Sequence, residues 1–189
     1  MPSKIREISK ESLLIALLKL IQEKHISDIT VQELANKAGV SRSTFYRHYA
    51  LPIDILKDYL QPTSLSPMPR SNSMLSEQET IELYKNNIRI LYRYFSENSS
   101  LVLALIHSGM TDFFRKTAAQ FILKKYAVQL SDCNSFQQAA FANLSIDILI
   151  LWTQKGRIKY VEEMTEALYN VLCVVFKYAA EEKYPQGKI

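Results

Sequence analysis

The sequence predicts an all-α protein of about nine helices, and three observations carry that prediction. The 189 residues include only four glycines. Apolar residues recur at spacings of three and four through most of the chain, the period of a helix with one buried face. Residues able to cap a helix precede these runs, and Thr30 with Glu33, Ser76 with Glu79 and Ser135 with Gln138 have the spacing of a capping box. With 48% hydrophobic residues the chain can fill a core. The length suits one compact unit or two small domains, and no internal repeat is visible.

The elements follow in order. Residues 1–9 read as a short polar arm with Lys4 and Arg6. A first helix is expected from about Ser9 to Lys24, with Leu13, Leu14, Leu17, Leu18, Leu20 and Ile21 as its apolar stripe. Thr30 opens a second helix, whose Val31, Leu34, Ala35 and Ala38 share one face. Gly39 stands where a helix end wants a left-handed residue. Val40 fills the corner, and Ser41 caps the third helix, Ser41 to Tyr49.

On that third helix Phe45 and Tyr49 stand four apart and point inward. Arg42, Ser43, Thr44, Tyr46, Arg47 and His48 are left largely outside, as donors suited to phosphates and base edges. From Lys37 to Tyr49 there are three fixed cations (Lys37, Arg42 and Arg47), one histidine and no carboxylate. A helix packed by one face and cationic on the other is what a helix-turn-helix places in a major groove. The alternative for the same pattern is a helical hairpin with a solvated charged face.

Over these residues the chain resembles the DNA-binding domain of TetR-family transcriptional regulators. The resemblance rests on Thr30-Val31, Leu34-Ala35, Ala38-Gly39-Val40-Ser41, Thr44-Phe45-Tyr46 and His48-Tyr49. Two positions depart from the family. His25 stands where members carry glycine, and so is expected to take a strained left-handed conformation. Members carry a phosphate-contacting lysine near the start of the fourth helix, whereas Ala50-Leu51-Pro52-Ile53 holds no cation.

The fourth helix starts near Pro52, a residue suited to a first turn, and its buried stripe reads as Ile53, Leu56 and Leu60. Residues 1–60 thus form a helix-turn-helix DNA-binding domain. Residues 61–75, with Pro62, Pro67 and Pro69 among serines, form a linker. Residues 76–189 are expected to form a helical bundle, for which the resemblance implies ligand sensing and dimerisation. Its helices are expected from Ser76 to Glu97, with Ile81, Tyr84, Ile88, Leu91, Tyr92 and Phe95 facing inward, and from Ser100 to His107. Further helices are expected from Thr111 to about Leu130, from Ser135 to Lys155, and from about Lys159 to Glu182.

The second domain holds no metal cluster, phosphate-binding glycine loop or nucleophile–base pair. Neither a metal nor a cofactor is predicted, and the chain does not read as an enzyme. Two apolar stripes fit either a monomer core or a dimer seam: Phe136, Ala140, Leu144, Ile148 and Leu151, and Val161, Met164, Leu168, Leu172 and Val175. The resemblance implies the seam, because these regulators dimerise through their last two helices. It also implies a pocket for a small effector, with Tyr84, Tyr92, Phe95, His107, Phe113, Phe114, Phe121 and Asp147 as wall candidates. Leu151-Trp152, Gly156, Glu162-Glu163-Met164 and Ala167-Leu168 resemble the ending of a TetR subgroup that includes activators of small-metabolite operons.

Other classes are disfavoured. Lys4, Arg6 and Leu13 to Leu18 imitate a signal peptide, but Glu7, Glu11 and Lys19 interrupt the pattern and no small-residue cleavage site follows. The run Ile146 to Trp152 is broken by Asp147 and too short to span a bilayer. Cys133 and Cys173 lie in no metal-ligand spacing and suit a reducing compartment. A cytoplasmic protein is expected. The net charge of +4 says less about nucleic acid than the cluster at Arg42 and Arg47.

The expected function is a homodimeric regulator, by family default a repressor, that binds a palindromic double-stranded operator and answers a small effector. Arg42, Ser43, Thr44 and Tyr46, beside the Ser41 cap, are expected at base edges and adjacent phosphates. Thr30, Lys37, Arg47 and His48 are expected at phosphates. Alternatives are an activator, an adaptor without DNA binding, and a helical enzyme with an accessory helix-turn-helix.

Overall fold

A computed structural model describes residues 2–61, 76–127, 133–156 and 160–181, and the side chains of 9–61, 76, 78–127, 133–156 and 160–171. The linker from Pro62 to Leu75, Leu130, Lys159, the segment from Glu182 onward and the side chains of Lys4, Arg6, Leu172, Cys173 and Val175 lie outside the described set. Among the described residues there are nine α-helices and no strand. They are α1 (Pro2–Glu23), α2 (Val31–Ala38), α3 (Arg42–His48), α4 (Pro52–Tyr59), α5 (Glu77–Glu97), α6 (Ser99–His107), α7 (Thr111–Lys125), α8 (Ser135–Gln154) and α9 (Val161–Glu181). No helix among them is long and apolar enough to cross a membrane. The chain divides into two compact units, residues 1–62 with 98–117, and residues 63–97 with 118–189.

In the first unit α1 is the central post. Its Leu13, Leu14, Leu17, Leu18, Leu20 and Ile21 are all buried, and α2, α3, α4 and α6 pack on it. Burial of that many branched side chains is the main force joining these short helices, which are too short to persist alone. α6 belongs to this unit although it follows the linker in sequence, and its Leu101, Val102, Ala104 and Leu105 are buried. On α4 the buried residues are Ile55 and Leu56, with Leu60 just beyond, rather than the expected Ile53, which is only half-buried.

Three other expectations are corrected here. α1 begins at Pro2, not Ser9: proline is at home in a first turn, and no breaker follows it. His25 takes an extended conformation, φ −65° and ψ 144°, not the left-handed one. It opens a short 3-10 turn, Ile26–Asp28, and its Nδ1 accepts the Ser27 N–H at 3.3 Å. α7 ends at Lys125, short of Leu130.

In the second unit α5 and α8 pack against α9. Ser76 and Glu79 form the expected box at the head of α5, with the Ser76 N–H donating to the Glu79 carboxylate at 2.8 Å. At α8 the cap is one residue earlier than expected. Asn134 Oδ1 accepts the N–H groups of Phe136 and Gln137, each at 3.0 Å, and Gln137 returns a bond to the Asn134 N–H at 2.9 Å. Asn134/Gln137 and Ser135/Gln138 have equal spacing, and the amide of Gln138 is instead spent on the Cys133 carbonyl. Tyr92 is buried edge-on to Trp152 at 5.1 Å, and Tyr126 lies between Tyr84 and Phe141 at 6.5 and 5.5 Å. Burial raises the pKa of all three tyrosines.

Candidate nucleic-acid interface

The interface is built on two caps and one turn. Thr30 Oγ1 accepts the Glu33 N–H at 3.2 Å and starts α2. The Glu33 carboxylate does not complete a capping box; it pairs with Lys24 at 2.7 Å. α2 ends at Gly39, whose φ of 68° and ψ of 29° are reached by glycine without a Cβ penalty. The Gly39 N–H donates to the Asn36 carbonyl and the Val40 N–H to the Ala35 carbonyl, at 3.2 and 3.0 Å. This Schellman closure sends the chain directly into the next helix. Ser41 Oγ then accepts the Thr44 N–H at 3.1 Å and lies 2.8 and 2.9 Å from the hydroxyls of Ser43 and Thr44.

α3 is two turns long, and its one buried side chain among those described is Phe45. Tyr49, just past the helix end, is also buried, and its ring lies 6.2 Å from that of Phe45. Its hydroxyl donates to Asp58 on α4 at 2.8 Å, and Lys10 on α1 reaches the same carboxylate oxygen at 2.7 Å. The Lys10 ammonium also sits 5.5 Å above the Tyr49 ring.

The opposite side of α3 is open. Thr30, Lys37, Ser41, Arg42, Ser43, Tyr46 and Arg47 are exposed, and Thr44 and His48 are half-buried. Tyr46 exposes 54% of its surface, a large fraction for an aromatic residue, while its ring edge rests on Phe45 at 5.4 Å. The cations divide into two kinds. Lys37 pairs with Glu23 at 2.8 Å and holds that carboxyl below its ordinary pKa. Arg42 and Arg47 make no ion pair or hydrogen bond among the described residues, so their forks remain free to receive an anion. The start of α4 is closed: Asp54 accepts the Leu51 N–H at 2.9 Å and pairs with Lys57 at 3.0 Å, and Pro52 has no N–H to offer.

The second unit presents a different surface. On α8, Phe136 (84% exposed), Ala140 and Leu151 (52%) are exposed, and Leu144 and Ile148 are half-buried. Phe141, Ala142, Ser145, Ile146, Leu149, Ile150, Trp152 and Thr153 fill the interior. On α9, Val161 and Met164 are half-buried, but Leu168 is 1% exposed and belongs to the core of the chain. That corrects its place in the expected seam: the side chains exposed along α9 include Ala167 and Val171 instead.

The pocket candidates are dispersed between the units. In the second unit Tyr92 and Phe95 are buried, Tyr84 and Phe121 half-buried, and Asp147 exposed on the same side of α8 as Leu151. In the first unit Phe114 is buried, Phe113 half-buried and His107 exposed. His107 is the last residue of α6 and faces away from the leucines that bury that helix. The Tyr92 hydroxyl is buried and has no hydrogen-bond partner among the described residues.

Residues 13–50 match the family described as bacterial regulatory proteins, tetR family. Over 116 residues the chain is 28% identical to a nucleoid occlusion factor, SlmA, of Marinobacter nauticus, a match covering 59% of this chain and 60% of that protein. The chain thus spans about 60% of the length of that curated relative. The fold is similar to that of a tetR-family transcriptional regulator from Streptomyces coelicolor, with a TM-score of 0.53 at 16% identity over 92% of this chain and 82% of the other.

Proposed function

We propose that this member of the tetR family of bacterial regulatory proteins is a homodimeric, sequence-specific regulator of transcription that uses α3 to read a near-palindromic operator. The observation that carries the reading is the pair of free guanidinium groups, Arg42 and Arg47, on a helix anchored from behind by Phe45. Arg42, Ser43, Thr44 and Tyr46 take base edges and adjacent phosphates. Thr30, Arg47 and His48 take phosphates, and Lys37 joins them by exchanging Glu23 for the duplex. The twin copy seats on the apolar side of α8, Phe136 to Leu151, and on the exposed edge of α9. A small effector in the second unit biases the spacing of the two α3 helices by binding one spacing better than the other. Repression is the direction proposed.

Selection of duplexes from a random pool with the purified protein tests the reading. A twofold-symmetric motif is expected. A pool that enriches no motif sinks it and favours an adaptor without DNA binding, a second reading supported by the closed, cation-poor start of α4. A reporter carrying the selected site then separates repression from activation.

A further inference from the structure

We infer that Lys10 and Asp58 are positioning residues that fix the orientation of α3 through the Tyr49 hydroxyl, and that this linkage sets sequence discrimination on DNA; the inference rests on the DNA-binding reading above. Phe45 is the one buried side chain of α3 among those described, and Thr44 and His48 are half-buried. Tyr49, just past the helix end, supplies a further hold. Its backbone is extended (φ −141°, ψ 145°), the residue is 7% exposed, and its hydroxyl at the tip of the ring is tied to Asp58 at 2.8 Å. Asp58 is itself held by Lys10 at 2.7 Å. Residues from α1, α4 and the end of α3 therefore meet at one carboxylate, behind the surface that carries Arg42 and Arg47.

The linkage is poorly explained as a source of stability. The side chains of Lys10 and Asp58 are 34% and 43% exposed, and ion pairs so wetted contribute little to folding. Geometry is what it supplies. Base readout needs bidentate forks placed to within about half an ångström, whereas contact with phosphates tolerates a loosely held helix. Burial of the phenol, with Asp58 beside it, raises the pKa of Tyr49 and keeps it the donor.

Tyr49→Phe removes the oxygen and leaves the ring in place. Its affinity is compared with wild type on the duplex selected from the random pool and on a scrambled duplex of equal length, at one salt concentration. The expected result is about a fivefold loss on the selected duplex and no change on the scrambled one, since only the pose that reads bases becomes less populated. Asp58→Ala repeats the loss, and combining it with Tyr49→Phe adds little further. Lys10→Arg keeps the discrimination and Lys10→Met reduces it. Equal losses on both duplexes, or a Tyr49→Phe protein that discriminates as well as wild type, overturns the inference. A wild-type protein that selects no duplex overturns the DNA-binding reading and this inference together, whereas the former outcomes leave that reading intact.

Discussion

α3 and α8 each turn one face to solvent, and the two faces have opposite chemistry. α3 is two turns long, buries Phe45 and shows Arg42, Tyr46 and Arg47 outside. α8 is 20 residues long, buries eight side chains and shows Phe136, Ala140 and Leu151. An exposed arginine without an ion partner is well solvated and waits for an anion at small cost. An exposed phenylalanine in line with other apolar residues is a standing penalty that a protein partner removes. Under the proposed function, the smaller helix would leave a duplex readily and the larger would remain paired with its twin.

Two phenylalanines test the contrast most directly. Phe45→Ala should destabilise the first unit by about 3–5 kcal/mol and abolish binding to the selected duplex, because the cavity opens under α3. Phe136→Ala should leave urea unfolding within about 0.5 kcal/mol of wild type at low protein concentration, with a deficit that grows as concentration rises. A concentration-independent loss would mean that Phe136 is not at a seam. Next, Leu151→Glu puts a carboxylate in the apolar line of α8 and should weaken self-association about 10–100-fold by sedimentation, leaving the helix content unchanged. A protein that sediments as before would break the comparison at its second half.

The two arginines sharpen the first half. Arg42→Ala should lose about 1–3 kcal/mol on the selected site and relax its base preference. Arg47→Ala should weaken every duplex alike and reduce the salt slope by about 1. Gel shifts at several salt concentrations separate the two; an equal loss on every duplex by both variants would mean that neither reads bases. The smallest effect concerns acid. Asp54 titrates below its ordinary value, chiefly because Lys57 bonds it. A carboxyl depressed by folding stabilises above its unfolded pKa, and the contribution fades as pH falls through the folded value. Thermal stability should therefore be level from about pH 8 to 5 and decline below about pH 4, with a slightly shallower decline in Asp54→Asn.

What was legible in the chain was local. Thr30, Gly39 and Ser41 announce their roles through rules that span four residues, and Phe45 and Tyr49 announce theirs by helical spacing. Those rules placed the exposed cationic surface without any knowledge of tertiary packing. They failed where two local solutions are equally good or where the deciding partner is remote. Asn134/Gln137 and Ser135/Gln138 are competing caps one residue apart. Leu151 and Leu168 both stand in periodic stripes, yet one is exposed and the other is core, because periodicity defines faces without saying which turns inward. Tyr49 and Asp58 lie nine residues apart and Lys10 and Asp58 forty-eight, so no helical spacing announces their meeting. The pairing of Lys37 is hidden in the same way, because Glu23, fourteen residues away, belongs to another helix.

The interior hydroxyls of α8 and α9 have a mechanical consequence. Ser145, Thr153 and Thr165 each donate to a carbonyl one turn back on their own helix, the Phe141, Leu149 and Val161 carbonyls, at 2.8, 2.9 and 2.8 Å. Satisfied in this way, they cross no gap and act as greasy side chains would. None of the three resists an axial slip of one rod along its neighbour. Registry at those positions is left to the shapes of the packed side chains, a restraint that deforms gradually where a cross-linking bond would snap.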